Sequence, residues 1–94
     1  MIPSNRIPTH PGEILSEEFL GPLEISQVRL AEHLRIPVQR VNELINGKRG
    51  VTPETAWLLS KAFGTSPEFW MNLQAAYDLA RNRPTRDIKP LVAA

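Results

Sequence analysis

Proline and glycine cut this 94-residue chain into short pieces. Gly21-Pro22, Pro37, Gly47, Gly64 and Pro84 read as stops, and Pro11, Thr52-Pro53 and Ser66-Pro67 as starts. Proline suits the first turn of a helix, where its missing N–H has no partner to lose, and it pushes the residue before it out of the helical region. No alternating, β-branched-rich run between these marks suggests a strand. The chain therefore reads as all-α, with five helices. The first opens at Pro11, carries an apolar stripe of Ile14, Leu15, Phe19 and Leu20, and is stopped by Gly21-Pro22. Ser26 caps the second, whose inward positions are Val28, Leu30, Ala31 and Leu34. The third covers about 38–46, with Val41, Leu44 and Ile45 inward, and ends at Gly47. The fourth runs from Pro53 to Gly64, and its Trp57 joins the core only on the reading in which Trp70 and Tyr77 complete it too. The fifth, about 67–81, places Phe69, Trp70, Leu73, Ala76, Tyr77 and Ala80 on one face of a 3.6-residue period. Residues 1–10, with Pro3 and Pro8, read as an irregular arm, 11–81 as one domain, and 82–94 as a basic, flexible tail.

Composition excludes several classes. There is no cysteine, hence no disulfide framework, thiolate nucleophile or cysteine-based zinc site. The two histidines, His10 near a helix N-terminus and His33 on the surface of the second helix, converge with no set of carboxylates. No metal site, cofactor, small-molecule substrate or catalytic constellation is read. No apolar run approaches the roughly 20 residues of a membrane span, and no signal-peptide core follows Met1, so a cytoplasmic protein is expected. Net charge is only +1, but it is segregated: residues 26–50 carry +3 and 81–94 carry +3, whereas 1–25 carry −3 and 51–80 carry −2. A basic face on a near-neutral chain is what phosphate binding requires, although a solvated helical surface has the same pattern.

The second and third helices carry the specific signal. In a twenty-residue unit starting at Gln27 and ending at Asn46, Leu30, Ala31, Leu34, Ile36, Val41 and Leu44 fall at positions 4, 5, 8, 10, 15 and 18. Ala31 stands where two helices come closest, the leucines and Val41 fill the angle between them, and Ile36 plugs the turn. A steep crossing through a short turn lets the second helix of such a pair protrude into a DNA major groove. One residue breaks the pattern. Position 9, where a positive φ favours glycine, is Arg35. Either Arg35 sits in the left-handed region at a cost on the order of 1 kcal/mol, or the turn is re-routed.

Residues 30–51, with Asn46-Gly47-Lys48 after the third helix, resemble the lambda-repressor-like (XRE) helix-turn-helix family. Residues 8–20, with Pro-Gly-Glu-Ile-Leu, and 65–79, with Pro-Glu-Phe-Trp, resemble the HigA/VapI antitoxin group more narrowly. The resemblance implies a five-helix DNA-binding domain. It also implies the antitoxin of a type II toxin–antitoxin pair, which neutralises a HigB-like toxin of RelE/ParE fold, an mRNA endonuclease, and represses its own operon by binding double-stranded operator DNA as a homodimer. A stand-alone regulator without a toxin shares the same DNA chemistry, and a protein-interaction module is the further alternative.

Within that frame the outer surface of the third helix offers Val38, Gln39, Arg40, Asn42 and Glu43 to base edges. Gln39 and Asn42 suit adenine, Arg40 guanine or a phosphate, and Val38 a thymine methyl. Glu43 either accepts from a cytosine amine or holds Arg40. Gln27, Asn46, Lys48 and Arg49 are expected at phosphates. A small module needs a two-fold partner on a palindrome, with half-sites roughly 34 Å apart. Phe69, Trp70, Leu73 and Tyr77 of the fifth helix are the candidate dimer contacts, unless Trp70 and Tyr77 only complete the core. Glu13, Glu17 and Glu18 are the candidate surface for a basic toxin, with the basic tail as a second candidate for toxin or DNA.

Overall fold

A histidine opens the first helix. In the computed structural model, which describes residues 8–92, His10 has extended backbone and its Nδ1 accepts the Gly12 N–H at 2.9 Å. The parts of the expected arm and tail at 1–7 and 93–94, Pro3 included, lie outside the described residues. Helix α1 begins as Pro11–Ile14, widens into π-helical turns over Leu15–Leu20 and closes with Gly21–Leu23. Then follow α2 (Gln27–Leu34), α3 (Val38–Ile45), α4 (Pro53–Phe63) and α5 (Pro67–Arg81). Side-chain oxygens cap three of the N-termini as residue type suggested: Ser26 accepts from Arg29 N–H, Thr52 from Thr55 N–H and Ser66 from Phe69 N–H.

Gly21-Pro22 does not stop α1. The Gly21 N–H bonds the Ser16 carbonyl five residues back, and this wide turn accommodates a proline ring that a tight α-helix would clash with. The helix ends instead at Glu24, with φ 56°. Ile25 N–H then bonds Leu20 O and Glu24 N–H bonds Gly21 O. The same pair of bonds closes α2 around Arg35, where Ile36 N–H reaches Ala31 O and Arg35 N–H reaches Glu32 O. Arg35 has φ 59° and ψ 45°, so the backbone keeps the left-handed turn without a glycine to ease it. Gly47, with φ 73°, closes α3 in the same manner.

The core is Leu15, Leu20, Leu30, Ala31, Val41, Leu44, Val51, Ala56, Leu59 and Trp70. Val28, read as inward, and Trp57, a core residue only on the alternative reading, are 54% and 56% exposed. Each lies two positions before a buried leucine, Leu30 and Leu59, and so about 200° round the helix from it. Gln74 was not anticipated at all. It is buried, accepts the Val51 N–H at 2.7 Å and donates to Asp78 at 2.9 Å, tying the loop before α4 to α5. Gln74→Leu is expected to strand that buried N–H and cost about 2 kcal/mol in urea unfolding. An unchanged midpoint would mean the loop satisfies it otherwise.

Candidate nucleic-acid interface

Helices α2 and α3 meet through Leu30, Ala31, Val41 and Leu44, all buried, with Leu34 and Ile36 packed at the edge of the core. Pro37, extended at φ −62° and ψ 142°, turns the chain into α3. The far side of α3 is exposed at Val38, Gln39, Asn42 and Asn46. Carboxamides link this face in a row. Asn42 Nδ2 donates to Gln27 Oε1, and Asn46 Nδ2 donates to Asn42 Oδ1, both at 3.2 Å. The row joins the start of α2 to the end of α3, and among the described residues the Gln27 amide N–H₂ has no hydrogen-bond partner. Gln39 makes no side-chain hydrogen bond among the described residues, so its whole carboxamide edge is open.

The cations are less free than charge counting suggests. Arg40 Nη2 donates to Glu54 Oε1 at 2.7 Å and to Thr55 Oγ1 at 3.0 Å, both on α4. Arg49 holds Glu43 Oε1 through Nε at 3.1 Å and Nη2 at 3.0 Å. Glu43 therefore does not hold Arg40; its partner comes from the loop after α3, which curls back onto the helix. Arg29, Arg35 and Lys48 are exposed and carry no ion pair among the described residues.

The remaining candidates divide by burial. Trp70 is fully buried and its indole N–H donates to Thr65 Oγ1 at 2.7 Å. It anchors a cluster with Phe19 and Phe69, ring centroids 5.3 and 5.0 Å away, and is withdrawn as a dimer contact. Phe69 is exposed, and Leu73 and Tyr77 are half-buried. Tyr77 stands edge-on to His10 at 4.7 Å and accepts from Arg81 Nη1 at 2.9 Å. Burial pushes the His10 imidazole below its usual pKa, with Arg81 adding to the effect and Asp78 and Glu13 opposing it. The neutral ring suits an Nδ1 that accepts a backbone N–H. Glu13, Glu17 and Glu18 are exposed on α1. Among the described residues no three His, Cys, Asp or Glu side chains form a metal-binding group, and no helix is long and apolar enough to cross a membrane.

A helix-turn-helix family profile matches residues 17–70. Antitoxin HigA-1 of Vibrio cholerae is 43% identical over 94% of this chain and 88% of its own length. The antitoxin HigA of Pseudomonas aeruginosa, solved with the higBA promoter, superposes with a TM-score of 0.83 at 40% identity, over 90% of this chain and 99% of that one. The antitoxin GraA in complex with its operator gives a TM-score of 0.86 at 35% identity over 99% and 100% of the two chains.

Proposed function

Because the chain belongs to the HigA group of the helix-turn-helix family, we propose that it is the antitoxin of a type II toxin–antitoxin pair. As a homodimer it binds a palindromic operator before its own operon and represses it, and it neutralises a HigB-like toxin, an mRNA endonuclease of RelE/ParE fold. The observation that carries the DNA half is the row of carboxamides along the exposed side of α3, with Gln39 open beside it. It is supported by relatives of the same fold solved on promoter and operator DNA. Gln39 pairs with adenine, Val38 meets a thymine methyl and Asn42 reaches a base edge from the row. Gln27, Asn46, Lys48 and Arg49 meet phosphates, the Gln27 amide N–H₂ being the donor that the row does not use. Glu43, held by Arg49, is set aside as a base contact.

Phe69, Leu73 and Tyr77 on α5 are the contacts to a second copy, and the acidic side of α1, with Glu13, Glu17 and Glu18, faces the basic toxin. The protein works in the cytoplasm without cofactor or membrane.

A mobility shift on the upstream region, titrated with salt, tests this reading. The Gln39→Ala/Asn42→Ala variant should bind the palindrome about 100-fold more weakly, since each lost bidentate contact weighs about 1–3 kcal/mol. Equal binding by the unaltered protein to operator and scrambled duplex at every salt concentration would sink it.

A further inference from the structure

The third residue of α3 is the one cation on the recognition helix, and its geometry is wrong for reading a base. A guanidinium recognises guanine through two adjacent N–H groups, and both edges that offer such a pair include Nη2. In Arg40 both hydrogens of Nη2 are committed, one to Glu54 Oε1 and one to Thr55 Oγ1. Nε, the other half of one edge, is buried with no hydrogen-bond partner. Only Nη1 remains, and its two N–H groups diverge from one nitrogen, so they cannot make that side-by-side pair. Of the two acceptors Thr55 is fixed from behind, whereas the Glu54 side chain is 71% exposed. Thr55 is buried, lies 3.2 Å from the capping hydroxyl of Thr52, and is followed by Ala56 in the core. The Arg40 side chain thus spans from the first turn of α3 to the first turn of α4, with a quarter of its surface exposed.

We infer that Arg40 is a positioning residue that braces α3 against α4 through Glu54 and Thr55 and reads no base, so that discrimination between base pairs rests on Val38, Gln39 and Asn42. The inference rests on the DNA-binding reading above and changes what Arg40 does within it.

The test compares the unaltered protein with Arg40→Ala, Glu54→Ala and the double variant. Binding is measured on the upstream operator and on duplexes altered one base pair at a time. A brace lowers affinity by a common factor, about five- to tenfold, for either single variant on every duplex. The double variant is then no weaker than either single, and the salt dependence is unchanged. Relaxed preference at one base pair in Arg40→Ala alone would overturn the inference, as would a salt slope reduced by about one, the mark of a phosphate contact. If the unaltered protein binds no operator, the DNA-binding reading fails. The brace is then decided by urea midpoints of the same four proteins. Non-additive shifts at 40 and 54 support it, and additive shifts overturn it.

Discussion

Replacing Trp70 by alanine is expected to remove about 4 kcal/mol of folding stability, a large share of the roughly 5–14 kcal/mol that a domain of this size has. The side chain is fully buried, it stacks among aromatic rings from α1 and α5, and its N–H is matched to Thr65. Truncation removes the largest buried side chain of the core and leaves the Thr65 hydroxyl without its donor. Urea unfolding followed by circular dichroism measures the loss. Trp70→Phe should recover part of it, because a ring still fills most of the space while the hydrogen bond stays broken. A loss under 1 kcal/mol for the alanine variant would mean that α5 is not held to α1 through this residue.

The second large effect has the opposite sign from habit. Glycine to alanine inside a helix normally stabilises by roughly 0.5–1 kcal/mol. Gly12→Ala is expected to destabilise by about 3 kcal/mol. A Cβ at Gly12 would overlap the carbonyl carbon and oxygen of Leu44, and backbone cannot step aside as a side chain would. The start of α1 rests directly on the end of α3, so the variant also reports on how α3 is held. Thermal unfolding should show a midpoint lower by more than 10 °C, given about 4–8 °C per kcal/mol in a domain this small. A midpoint at or above that of the unaltered protein would refute the close approach.

Much of this architecture was legible because its signals are local. Ser26, Thr52-Pro53, Ser66-Pro67, Gly47 and Gly64 act on their own backbone neighbours, and each does what its residue type suggests. Arg35 was legible as an anomaly, and the left-handed alternative is the one present. What failed was of two kinds. Val28 and Trp70 are apolar residues whose side of the helix depends on which neighbour packs there, and apolar character alone does not decide between core and surface. Gln74, Glu54 and Thr55 act across 14 or more positions on Val51 and Arg40. No spacing rule links a carboxamide on α5 to a loop N–H before α4. The partners of Arg40 likewise decide its role, and they lie on a different helix.

The π-helical turns of α1 have a consequence for how this family of chains can change. Leu15 and Leu20 are both buried, yet five residues of ordinary α-helix would set them about 140° apart. The extra residue in the wide turn brings the two halves of the helix into phase with one core. A π turn is, in effect, a single-residue insertion absorbed within a helix rather than in a loop. The half carrying Gly12 can therefore stay seated against α3 while the half carrying Leu20, Gly21 and Pro22 is rephased by gaining or losing one residue. Length variation in a protein this small need not be confined to its loops.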